Sequence, residues 1–244
     1  MICNETETGW EIIFQRAHAL LAAKLVEHWH SKNRPARWLE TLNAIAQHDN
    51  GWQEWETGDR LTEAGIPRDF ADMALTQVVL QARRVVIRAW HQSLWGGLLV
   101  SRHLSYLYGP RRGKYGPLDE LLAEQEALRQ QWRRCLGVDR EQVDEGYALL
   151  RWADSFSLLL CRGHLPTGDR KVQIGEGPGG QPYDLGRRPD GTLLVTPWPY
   201  SMHTFSVEVE THQVRQRTFP DEDALANALH GATVIRRRWE LWTD

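Results

Sequence analysis

Residues 38–52 read WLETLNAIAQHDNGW, and the fold turns on how that stretch is taken. Leu42, Ile45 and Ala46 recur at helical spacing, which predicts a helix over 38–49 with Asn50-Gly51 as its stop. Asp49 continues the same apolar line one turn on, with His48 directly before it. A carboxylate on an apolar helix face is costly unless it is paired or binds a metal.

Working outward, the same anomaly recurs on three more predicted helices. His18 shares a stripe with Leu21, Ala22 and Leu25 in a helix over 15–29. His103 is flanked by Leu99, Val100, Tyr106 and Leu107 in a helix over 98–108, after a break at Gly96-Gly97. Asp154 has Leu150 and Leu158 at four-residue spacing, and Cys161 a turn further, in a helix over 141–162. Four helices that each turn an imidazole or carboxylate inward bury those groups at least cost around a shared cation, and this donor set suits Zn, Mn, Fe or Co. A buried His–Asp hydrogen-bond network is the alternative.

The order His18, His48-Asp49, Asp154 resembles the H…HD…D signature of the HD-domain superfamily of metal-dependent phosphohydrolases. More closely, residues 9–108 resemble an uncharacterised bacterial family of unknown function related to that superfamily. The stretches that carry this are IAQHDNGWQEW (45–55), LLVSRHLSYLY (98–108) and LLRWADSFSLLLCR (149–162), with VTPWPY (195–200) further on. The resemblance implies an HD-like helical bundle in which His18, His48, Asp49 and Asp154 hold a first divalent transition metal: Mn, Fe, Co, Ni or Zn. His103 and His91 would serve a second ion, His103 with the better apolar context. Asp49 would also orient the attacking water. Anionic substrate would need cations, and Arg102 beside His103, with Arg111, Arg112 and Lys114, are the candidates. The implied activity is hydrolysis of a phosphorylated small molecule or nucleotide. Two further readings stay open: an HD-type di-iron oxygenase, and a catalytically degenerate HD-like protein that binds a metal or a partner.

The rest of the chain sets the frame. A strand is predicted over 9–14, helices over 73–92 and 118–136, and an irregular segment over 50–72 that suits a lid or binding loop. Residues 109–117 (GPRRGKYGP) form a basic loop by composition. Beyond Gly163 glycine and proline accumulate, and GEGPGG (175–180) is taken as linker. Strands are expected over 192–210 and 233–242, with a short helix over 221–230. The expectation is therefore mainly α: an HD-like metal-binding domain over 1–163 and a small β-rich α+β extension over 164–244.

A net charge of −3 across 244 residues argues against a partner bound by bulk charge, nucleic acid included. Three scattered cysteines give neither a disulfide framework nor a thiolate zinc site, which fits a reducing compartment. With neither a signal peptide nor a run of about 18 apolar residues in view, a cytoplasmic protein without membrane partners is expected. A homo-oligomer is compatible with all of this. The twelve tryptophans are expected mainly in the core, with a few lining a pocket.

Overall fold

The computed structural model describes residues 1–52 and 60–243. A hairpin of β1 (Ile2–Thr6) and β2 (Gly9–Ile13) opens the chain, followed by α1 (Gln15–Glu27), α2 (Trp38–Gln47), α3 (Leu75–Gln92), α4 (Leu94–Tyr108), α5 (Gly116–Leu136) and α6 (Arg140–Arg162). Next come β3 (Lys171–Glu176), β4 (Pro182–Arg187), β5 (Leu193–Thr196), β6 (Thr204–Val214), α7 (Glu222–His230) and β7 (Thr233–Trp242). The segment 53–59, the heart of the expected lid and the end of the IAQHDNGWQEW stretch, lies outside the described residues.

The strands join into one seven-stranded sheet in the order β1-β2-β6-β7-β5-β4-β3. All neighbours are antiparallel except β5 and β7, which meet in parallel at Leu193 and Leu241. Helix α1 lies on β6, and α6 on β3 and β1. Alternation along β2 sends Ile13 into the main core and Ile12 into a second core with Phe219, Leu225 and Leu229 of the α7 region. No helix among the described residues is long and apolar enough to cross a membrane.

This corrects the mainly-α expectation. The chain is 51% helical and 22% strand, and its C-terminal part belongs to a large mixed sheet rather than a small extension on a bundle. The strands of that sheet come from both ends, so it crosses the expected boundary at 163/164: Trp10 pairs with Val214 and Ile12 with His212. The stretch taken as linker is a hairpin. Gly179 and Gly180, at φ +68° and +70°, turn the chain between β3 and β4, where a side chain would be strained. Only Ile174, Tyr183 and Leu185 are buried across these two strands, too few to stand out against the glycine and proline around them.

The helices end where local chemistry stops them. Asp139 and Gln142 form a capping box that starts α6, and Gly163 in the left-handed conformation ends it. Gly96-Gly97 is not a break but lies inside α4, which begins at Ser93 through a side-chain cap to Gly96 N–H. A Cβ on Gly97 would meet both Trp132 and Trp90 at 3.3 Å, so the glycine permits close packing among α3, α4 and α5.

Asp69 fastens the segment after the undescribed residues to both layers. Its carboxylate accepts two bonds from Arg162 (2.8 and 2.6 Å) and one each from the backbone N–H groups of Cys3 (2.9 Å) and Ala71 (3.0 Å). Burial alone would raise its pKa, but Arg162 and the two N–H groups outweigh that and hold it below the ordinary carboxylate value. A depressed folded pKa means stability that is present above about pH 4 and lost as pH falls through the folded value. Asp69→Asn should therefore lower unfolding free energy at pH 7 by roughly 1–3 kcal/mol in urea titrations. The gap to wild type should close as pH is lowered below about 4.

Candidate metal centre

Four helical elements bring five donors to one place. His18 comes from the first turn of α1, His103 from α4 and Asp154 from α6. Helix α2 stops at Gln47, so His48 is its C-cap and Asp49 lies just past its end. His18 Nε2 stands 3.0 Å from Asp154 Oδ1 and 3.6 Å from Asp49 Oδ2. His48 Nε2 is 3.4 Å from Asp154 Oδ1 and 3.7 Å from Asp49 Oδ2, and His103 Nε2 is 3.8 Å from Asp154 Oδ2. The His48 ring meets those of His18 and His103 edge-on, each with centroids 5.3 Å apart.

The far ring nitrogens are tied from behind. Ser157 Oγ donates to the Asp154 carbonyl oxygen (2.9 Å), which leaves it to accept from His18 Nδ1–H (2.8 Å). His48 Nδ1–H donates to the Ile45 carbonyl (2.7 Å). These bonds to Nδ1 aim Nε2 of both rings at the cluster, and imidazole ligates a metal through that nitrogen once it carries no proton. Tyr147 Oη stands 3.5 Å behind His103 Nδ1.

The electrostatics are those of an uncompensated cluster. For His48, burial alone would lower the pKa, but Asp49 and Asp154 outweigh it and push it up to about 9. For His103, burial and the neighbouring His48 and His18 outweigh Asp154 and Asp49 and bring it down to about 4. Burial would raise Asp154, yet the close imidazoles of His18 (3.0 Å) and His48 (3.4 Å), and then the charges of His48 and His103, hold it well below the carboxylate range.

The fit to a cation rests on an orphaned atom. His48 Nε2 is buried and makes no well-formed hydrogen bond, although it faces Asp154 Oδ1 at 3.4 Å and Asp49 Oδ2 at 3.7 Å. Ligand atoms of His18, His48 and Asp49 lie within 4.8 Å of one another, as do those of His48, His103 and Asp154. These buried His/Asp groups could hold a metal ion.

The remaining expected residues stand elsewhere. His91 is exposed near the end of α3 beside Trp90 and belongs to neither group. Arg102 pairs with Asp144 (3.2 Å), lies over the Tyr147 ring and faces a separate pocket. Arg112 and Lys114 are exposed, whereas Arg111 lines the cavity above the cluster. That cavity, about 210 Å³, has apolar walls that include Phe70, Met73, Leu104 and Leu107, and Trp52 and Tyr108 also line it. Trp52 donates from Nε1 to Asp49 Oδ1 at 3.3 Å. Ser157, Tyr147 and the Ile45 carbonyl were missed in the sequence. A serine three residues after Asp154 carried no signal there, since its partner His18 is 139 residues away.

A buried three-His, two-Asp centre on a mixed α+β fold is thus the class of site this chain carries. Residues 1–216 match the family described as "Protein of unknown function (DUF3891)", and the chain belongs to it. Neither a curated protein nor a solved structure matches the chain.

His48→Ala and Asp154→Ala should each strip transition metal from the purified protein, as counted by elemental analysis, and His91→Ala should leave the content unchanged. Ser157→Ala, which frees the His18 ring without removing a donor, should weaken metal affinity about 10–100-fold in a chelator competition.

Proposed function

We propose that this protein is a metal-dependent hydrolase of a small phosphorylated molecule, working at the His18/His48/Asp49/His103/Asp154 centre. The observation that carries this is the convergence of three Nε2 atoms and two carboxylates at the floor of a cavity whose rim holds a guanidinium. The chain order His18, His48-Asp49, Asp154, shared with HD phosphohydrolases, supports it as a resemblance.

In this reading the three imidazoles bind a divalent transition ion through Nε2, and Asp154 and Asp49 neutralise it. Such an ion, Mn, Fe, Co, Ni or Zn, lowers the pKa of a bound water and polarises a phosphoryl oxygen. Asp49 is the more exposed of the two carboxylates and lines the cavity, with Oδ1 held by Trp52. It is placed to orient the attacking water and take its proton. Arg111 has no carboxylate partner among the described residues and would anchor the phosphate. One guanidinium and apolar walls suit a monoester with a compact organic group, and about 210 Å³ is small for a nucleotide.

The di-iron oxygenase reading has one observation in its favour, the two overlapping three-residue groups. They share His48, and His91 contributes nothing to either, so a single ion is the reading adopted.

Metal-loaded protein should release phosphate from members of a panel of small phosphomonoesters, and Asp49→Asn should abolish turnover. Arg111→Ala should raise KM about tenfold or more while kcat changes less. Phosphate release from no member of the panel by fully loaded protein would overturn the assignment, and two equivalents of iron with oxygen uptake would replace it with the oxygenase.

A further inference from the structure

Arg102 does not reach the metal cavity because it belongs to another one. A pocket of about 230 Å³ lies between α4, α5 and α6, and four arginines line it: Arg102, Arg129, Arg133 and Arg140. Only two carboxylates, Glu126 and Asp144, share the lining. No member of the His/Asp centre does.

Two of the guanidiniums are fixed. Arg129 Nη1 donates to the Ser101 carbonyl, Ser101 Oγ and Ser105 Oγ, each at 2.9 Å, and Nη2 is 3.5 Å from Glu126. Arg102 is held between Asp144 and the face of Tyr147. The other two, Arg133 and Arg140, have no carboxylate within ion-pair distance among the described residues. Arg129 and Arg133 are one turn apart on the same helix face, a like-charge spacing that destabilises a helix. Burial disfavours the charge on Arg129, Glu126 favours it, and Arg102, Arg133 and Arg112 tip the balance further against it. Four cations gathered in one concavity repel one another, and low-dielectric walls strengthen their field. An anion bound among them would turn that repulsion into attraction, and planar guanidiniums match phosphate oxygens in pairs.

We propose that this pocket is a second ligand site, for a small anion carrying a diphosphate or two phosphate groups. Its size admits such a molecule but not a duplex or a helix. The ligand would be an effector rather than the substrate, because the Tyr147 side chain separates the pocket from His103.

The test is calorimetric titration of the full chain with pyrophosphate at low ionic strength, with EDTA present so that no metal takes part. Wild type should show a single saturable site that weakens as salt rises. Arg133→Glu and Arg140→Glu should each weaken it about tenfold or more, and Arg111→Glu, in the metal cavity, should not. Arg140 is exposed in the first turn of α6, so its variant is expected to fold, which an unchanged thermal midpoint would verify. Absence of saturable binding would overturn the proposal. So would binding lost in Arg111→Glu but kept in both other variants, or a single-stranded oligonucleotide that binds this face and is not displaced by pyrophosphate. Because metal is excluded throughout, failure here leaves the hydrolase assignment untouched.

Discussion

Burying the Asp154 carboxylate among three imidazoles is the constraint around which the rest of this structure is arranged. Taking such groups out of water is costly, and each must find a charged or hydrogen-bonding partner at close range. Here the partners come from four separate elements, so α1, the end of α2, α4 and α6 must all converge within a few ångströms. The backs of two of those helices then need cover, and the sheet supplies it beneath α1 and α6. Hydrogen bonds to Ser157 Oγ and to the Ile45 carbonyl fix the ring orientations that make the convergence specific.

The candidate site was more legible in the sequence than the fold. Polar residues interrupting an apolar helical stripe are a strong signal, since the stripe itself predicts the direction in which His18, His103 and Asp154 point. The sheet gave a weak one. Strands β3 and β4 bury a single side chain or two apiece, and β1 carries Asn4 and two glutamate or threonine neighbours among its five residues. Pairing between β2 and β6 is a relation across almost the whole chain, which no local window contains.

Arg102 shows a different limit. Its adjacency to His103 suggested a shared site, yet successive residues on an α-helix point about 100° apart, so neighbours in sequence face different surroundings. His103 faces the metal cavity and Arg102 the arginine pocket, with Tyr147 between them. Arg111 presents the converse. In sequence it is one of three equivalent cations in a basic loop, beside Arg112 and Lys114, but the short 3-10 turn Gly109–Arg111 at the end of α4 brings it alone of the three to the lining of the cavity.

A sheet closed by both ends of the chain also sets a timetable for biosynthesis. Trp10 of β2 pairs with Val214 of β6, roughly 200 residues later. At roughly 5–20 residues per second, a ribosome would complete that partner some 10–40 s after β2 emerges. All five donors, by contrast, have been synthesised by Asp154. The helices that carry them can therefore dock first, while the β1–β2 hairpin waits with Ile12 uncovered and one edge unpaired. For that interval the nascent chain offers a sticky edge of the kind that chaperones shield, an exposure written into the order of its strands.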